Sequence, residues 1–320
     1  MLLNPQEADF VGTGLNRPEC VLCTSDGSLY VSDWRGGISH IRPDGSVQGR
    51  YRDGNPAGIL PNGIALEKNG AFLLADLGEH GGLWRLHPDG ETEPVLREVE
   101  GEALPPTNFV LVDARERIWL TVSTRLQPRA RGYRPDVSDG FIVLMDGKGA
   151  RVVADGLGYT NEVQLDAAGE HLYVNETFAR RTSRFPISPN GCLGRRETVT
   201  EYGAGTFPDG LCFDVEGSLW ITSIISNRVI RVDPDGHQQV ILEDSDPEHL
   251  QWVEQAFSKH QLGRPHLDNV KSKVLKNISC LAFGGPDMKT MYLGCLLGDR
   301  IATYRSPVAG LKPVHWDWTV

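Results

Sequence analysis

Apolar and polar residues alternate along this chain in short runs, and the runs recur as sets. Each set opens on a Pro- or Gly-rich turn ending in a polar residue. An apolar alternation follows, an Asp-Gly-type turn reverses the chain, and a strand bearing aromatic residues returns. The clearest copies run from Arg17-Pro18-Glu19 to Ser32, from Leu60-Pro61-Asn62-Gly63 to Asp76, and from Phe207-Pro208-Asp209-Gly210 to Ser223. Weaker copies begin at Asn108, Asn161 and Ser279. After Asp209 the period-two pattern marks strands at 210–214, 218–222, 228–233 and 238–242. Asp-Gly pairs at 26–27, 44–45, 89–90 and 235–236 are hairpin turns, and the β-branched and aromatic residues between them favour strands.

The anchor residues Glu19, Asn62, Asn108, Asn161, Asp209 and Ser279 follow one another at about 43 to 53 residues, with one gap of about 70. Sets of four short strands at that period predict an all-β fold, a six-bladed β-propeller occupying 1–320 as a single domain. The long gap holds the one helical pattern, 246–262, opened by Asp246 at an N-cap position. It reads as a short helical insertion between blades 5 and 6. The stretch 8–12 is expected to add an outer strand to the last blade near 301–304, closing the circle and leaving few free edges.

Composition narrows the partners. The chain of 320 residues carries a formal charge of −10, which argues against nucleic-acid binding. No run reaches the ~20 apolar residues of a membrane span, and the segment MLLNPQEADF lacks the features of a signal peptide. Six cysteines, most in predicted strands, read as buried reduced thiols in a cytoplasmic protein. Cys20 and Cys23 flank strand residues and face opposite sides, so they make no metal hook. The sequence is silent on oligomeric state.

Each anchor precedes the innermost strand of its blade, which places it at the mouth of the central channel. Six blades thus bring together oxygen donors only, two of them carboxylates. That set suits a hard divalent cation, Ca²⁺ first, with Zn²⁺, Mn²⁺ or Mg²⁺ as alternatives. A Pro-Asn-Gly or Pro-Asp-Gly taken singly is equally a simple turn. Glu19 is a poor turn former, however, and Asn161 and Asn108 lack the following Gly. A cation there would polarise a carbonyl, and Asp209 is the carboxylate best placed to act on an attacking water, as base or as nucleophile.

With Arg17-Pro18-Glu19, Thr107-Asn108, Thr160-Asn161-Glu162, Phe207-Pro208-Asp209-Gly210 and the run from Ser279 to Tyr292, the chain resembles the gluconolactonase, regucalcin (senescence marker protein) and luciferin-regenerating-enzyme family. The resemblance implies a six-bladed propeller with one divalent ion held by Glu19, Asn161 and Asp209. It implies that Asn108 lies beside the ion, touching substrate or bound water. The expected reaction is opening of a small lactone, sugar-type or other, with Asp209 and Asn108 as catalytic residues. Two departures loosen the tie to sugar lactones: Asn108 is followed by Phe109-Val110, and Pro105-Pro106-Thr107 stands where regucalcin-like members carry an Arg.

Loops between the second and third strands return to the same mouth, which brings Trp34 and Phe178 to the pocket as substrate contacts. The longest, 123–138, concentrates Arg125, Arg129, Arg131 and Arg134 in an otherwise acidic chain. These four are expected to bind an anionic group on the substrate. Promiscuous phosphotriester or ester cleavage in the same pocket, and a non-catalytic ligand-binding propeller, are the alternatives.

Overall fold

The computed structural model describes residues 2–318. Six four-stranded antiparallel sheets are arranged as the blades of a propeller. The first five are built from consecutive strands, beginning at Val21–Cys23, Pro61–Leu66, Phe109–Val112, Thr160–Leu165 and Phe207–Phe213. The sixth takes three strands from the C-terminal end, Ile278–Gly284, Thr290–Cys295 and Ile301–Arg305. Its fourth and outermost strand is Asp9–Val11, with Asp9 opposite Thr303 and Val11 opposite Ile301. The expected closing strand is therefore present, in antiparallel register.

Repeated side-chain devices set the hairpins. In the fifth blade Asp214 accepts from the backbone N–H groups of Glu216 and Ser218, both at 2.9 Å, which fixes the turn. Its other oxygen accepts from Trp220 Nε1 at 2.8 Å and pairs with Arg231. Asp113, Trp119 and Arg117 repeat the arrangement in the third blade. Both tryptophans are fully buried between blades, so each Asp ties a reverse turn to the packing of its sheet.

The anchors sit where the ladders slip. Pairing of the first with the second strand is broken between Pro61 and Ile64, Thr160 and Val163, Pro208 and Leu211, and Ile278 and Leu281. These irregularities frame Asn62, Asn161, Asp209 and Ser279 and free their side chains from the sheet. Neighbouring inner strands approach closely there. A Cβ on Gly63 would stand 2.6 Å from Phe109 Cα, and one on Gly210 2.6 Å from the Ser279 carbonyl oxygen. The Gly of Pro-Asn-Gly and Pro-Asp-Gly is thus required by the backbone of the next blade.

The insertion comprises two helices, α1 (Pro247–Ser258) and α2 (Arg264–Asp268), where one helical run was expected. Gly263 separates them in extended backbone. Asp246 caps α1 by accepting from His249 N–H at 2.8 Å. Val253 and Phe257 of α1 and Leu267 of α2 pack on Tyr133, Tyr159, Phe178, Phe207 and Ile224. Asn277 Nδ2 donates to the Leu267 carbonyl at 2.9 Å, and Arg180 pairs with Glu254. The insertion is thereby fastened over one mouth of the channel.

Candidate metal centre and active site

Five of the six anchors converge at that mouth. Glu19, Asn62, Asn108, Asn161 and Asp209 line one small cavity of about 30 Å³, with Arg17, Arg129, Tyr133, Tyr159, Phe178 and Arg264 around it. All five anchors are buried. Their amide nitrogens are fixed by outward partners. Asn62 Nδ2 donates to Glu19 Oε1 and to the Asn108 carbonyl, both at 3.0 Å. Asn108 Nδ2 donates to Ser123 Oγ at 3.0 Å, and Asn161 Nδ2 to Thr177 Oγ1 at 2.9 Å. The sixth anchor turns away: Ser279 Oγ donates to the Glu19 carbonyl at 3.0 Å and so buttresses the first blade.

The oxygens are left over. Glu19 Oε2, Asn62 Oδ1, Asn161 Oδ1 and Asp209 Oδ1 are buried without a hydrogen-bond partner. Leaving four acceptors of one site unpaired is costly unless a cation or donor meets them. Burial pushes the Asp209 carboxyl well above its usual range, and the Glu19 charge pushes it further. Burial also raises Glu19, to about 7, against the pull of Arg17 and Arg129. Among the described residues no three His, Cys, Asp or Glu side chains gather as a metal cluster. The donors here are instead two carboxylates and amide oxygens, hard ligands that fit Ca²⁺ or a similar divalent ion.

Residues 17–243 match the model of the SMP-30/Gluconolactonase/LRE-like region. The chain belongs to this family. Bovine (Bos taurus) regucalcin is 34% identical over an alignment spanning 79% of this chain and 69% of that protein. A 6-deoxy-6-sulfogluconolactonase from Pseudomonas putida is 26% identical over 76% of this chain and 72% of its own length. The structure of a Xanthomonas campestris gluconolactonase superposes with a TM-score of 0.66 at 19% identity, covering 94% of this chain and 90% of that one. That last likeness is one of fold. The family match ends before the helical insertion and the sixth blade.

Within this family member, the residues singled out from sequence separate into two groups. Glu19, Asn108, Asn161, Asp209, Phe178 and Arg129 all line the cavity. Trp34 does not; it lies under Arg17, whose guanidinium is 4.3 Å from the ring centroid. Three of the four loop arginines are also off the cavity, which corrects the expectation of a four-arginine cluster. Arg125 is paired with Asp155 through hydrogen bonds of 2.9 and 3.0 Å. Arg134 is paired with Asp136, and Arg131 donates to the Gln127 carbonyl at 3.3 Å. Each has found a local acceptor on the outside of the loop, so none is free to turn inward.

Several lining residues escaped the sequence reading of the pocket, Arg17, Tyr159 and Arg264 among them. Arg17 and Tyr159 stand two residues ahead of Glu19 and Asn161, both in left-handed backbone, with φ of 53° and 68°. Bulky residues adopt that conformation at a cost, and here it throws each side chain over the mouth. Arg264 comes from α2. Asn277, two before Ser279, has φ of 61° as well, but Arg17, Tyr159 and Asn277 share no residue type that marks the conformation in the sequence. Nothing in the pattern of α2 signals that it meets the channel.

Proposed function

We propose that this protein is a metal-dependent lactonase, with Glu19, Asn161 and Asp209 holding one divalent cation, Ca²⁺ first among the candidates. The observation that carries the reading is the set of four buried, unpartnered acceptor oxygens on one cavity. Membership of a family whose relatives include proteins named as lactonases gives the reaction class. Bound there, the cation would keep both carboxylates ionised and polarise the lactone carbonyl.

The chain's own groups supply the rest. Asp209 has two carboxylate oxygens, so one can hold the cation while the other accepts a proton from a water that attacks the carbonyl carbon. As the ring C–O bond breaks, that proton passes to the departing alkoxide and leaves an open-chain hydroxy acid. Asn108, held by Ser123 through its Nδ2 and by a long contact of 3.5 Å from Asn62 Nδ2 to its Oδ1, would offer that Oδ1 to substrate or to the water. Asn161 is oriented by Thr177, which itself donates to the Pro208 carbonyl at 2.7 Å and so ties two ligand strands together. Tyr133, Tyr159 and Phe178 form one aromatic wall, with ring centroids 4.7 to 5.4 Å apart, that keeps bulk water from the site.

The test is hydrolysis of a lactone panel by protein stripped with EDTA and reloaded with Ca²⁺, Zn²⁺ or Mn²⁺. Activity should vanish on stripping, return on loading, and be absent from Asp209→Ala. Undiminished turnover by the stripped protein or by the variant would refute the proposal.

A further inference from the structure

The arginines of the mouth point to a substrate class. Arg17, Arg129 and Arg264 reach one cavity from the first blade, the loop of the third blade and the helical insertion. Arg264 is paired with Asp268. Arg17 and Arg129 form no ion pair with a carboxylate among the described residues. Arg17 Nε and Arg129 Nη1 are sealed from solvent without a partner. Only Arg129 Nε is used, donating to the Tyr159 hydroxyl at 2.8 Å. Both guanidinium groups are charged at neutral pH.

The balance of charge follows. Neither Arg17 nor Arg129 is paired with Glu19 or Asp209, the two carboxylates of the same cavity. A divalent cation held there would engage both carboxylates and add its own charge, leaving two guanidinium charges uncompensated in a small buried cavity. Unpaired buried charge is strongly unfavourable, and guanidinium forks match oxyanions in shape and hydrogen-bond direction.

We infer that the site takes lactones carrying an oxyanion substituent (a carboxylate, sulfonate or phosphate) that Arg17 and Arg129 bind, with Arg264 closing over it from α2. The inference rests on the lactonase reading for the word lactone alone. The oxyanion pocket stands on the arginines. Because loading the cation creates the excess positive charge, cation and anion should strengthen each other's binding reciprocally.

The experiment has two arms. In the first, kcat/KM of the metal-loaded protein is measured for gluconolactone and for the same ring bearing a carboxylate, a sulfonate or a phosphate in place of its terminal hydroxyl. A preference of about 100-fold for one or more charged rings is expected from two charge-assisted contacts. Arg129→Met should shrink that ratio at least ~10-fold. Arg264→Met, on an exposed stretch of α2, should shrink it less, and Arg125→Met should leave it unchanged. The second arm measures calorimetric binding of glucose, glucuronate and glucose phosphate, with and without the cation. The charged sugars should bind more tightly, more so with cation present, and Arg129→Met should erase the difference while thermal melts report that the variant is folded.

A ratio near one for every charged ring, or a ratio that both Arg129→Met and Arg264→Met leave intact, overturns the inference. If no lactone is opened, the second arm decides alone. Cation-strengthened binding of charged sugars keeps the oxyanion site and discards the lactonase, whereas equal binding of all three sugars discards the oxyanion site.

Discussion

The channel has two mouths, and they differ in the opposite sense from their size. The roofed mouth encloses about 30 Å³ and gathers five polar anchors and three arginines. The other opens into a cavity of about 360 Å³ lined by Phe109, Leu211, Cys20, Cys212 and Cys280, and is covered by the segment 311–315 with Trp318. At the small mouth, polar atoms are oriented by hydrogen bonds yet left without a final partner. At the large one, most of the wall is inner-strand hydrocarbon and thiol; Glu162 accepts from the Leu211 N–H at 3.1 Å through one oxygen, and Glu162 Oε1 and His315 Nε2, both unpartnered there, belong to groups that burial pushes toward their neutral forms. Volume marks where the blades fail to fill the axis. Unspent hydrogen-bonding capacity marks where a ligand belongs.

The sharpest way to break this contrast is Asp209→Ala. It should lower kcat/KM for lactones by at least ~10³-fold, since it removes both a ligand and the base. Compared after stripping with EDTA, its melting temperature should hold or rise, because a buried carboxyl is lost, whereas added cation should no longer raise it. Parallel hydrolysis assays and thermal melts decide it, and an active variant would erase the distinction between the mouths. Next in size is removal of the cation. Binding at a hundredfold over Kd stabilises by about 2.7 kcal/mol, so EDTA should lower the melting temperature by roughly 4 °C. Glu19→Gln should largely abolish that response. A metal-induced shift that survives in Glu19→Gln would move the ion elsewhere.

The covered mouth should respond to pH instead. Burial pushes the His315 imidazole down to about 4, and its Nε2 has no partner. In the unfolded chain it takes up a proton below about 6.5, while in the folded protein it stays neutral. Its contribution is therefore complete above pH 6.5 and is lost as pH falls toward 4, by about 2 kcal/mol at pH 5. Denaturant titrations at pH 7 and pH 5 should show that loss in the natural protein and much less of it in His315→Leu. Equal losses would place the ring in contact with water. The smallest effect is expected of Cys280→Ala. Its side chain lies on the large cavity, so stability should fall by about 1 kcal/mol and kcat/KM should stay within about twofold. A large kinetic effect would show that the two mouths communicate.

The blades and the anchors were legible in the sequence because each repeat carries its own turn chemistry, and a circular array converts equal positions into neighbours. Glu19, Asn161 and Asp209 could therefore be picked from residues far apart in the chain. Ser279 was picked by the same logic, but its hydroxyl is spent on the Glu19 carbonyl, a contact no spacing reveals. The loop arginines show a second limit. Charge density in 123–138 was visible, but which arginine would find Asp155 or Asp136 depends on how the loop folds back on its own blade. Arg264 marks a third limit. The helical pattern of the insertion was plain, while its docking rests on Asn277 and on an aromatic cluster drawn from four segments.

The pairing of Asp9–Val11 with Ile301–Arg305 has a consequence for biogenesis. The first of these strands leaves the ribosome before the five complete blades and its partner after them. Five blades can assemble during translation, but the seam between these two strands must wait until all five have emerged. Such a latch is slow by topology rather than weak. Until it shuts, Ile301–Arg305 is a bare edge on which the N-terminal strand of a second copy could settle, so crowded nascent chains are at their greatest risk of swapping at that seam.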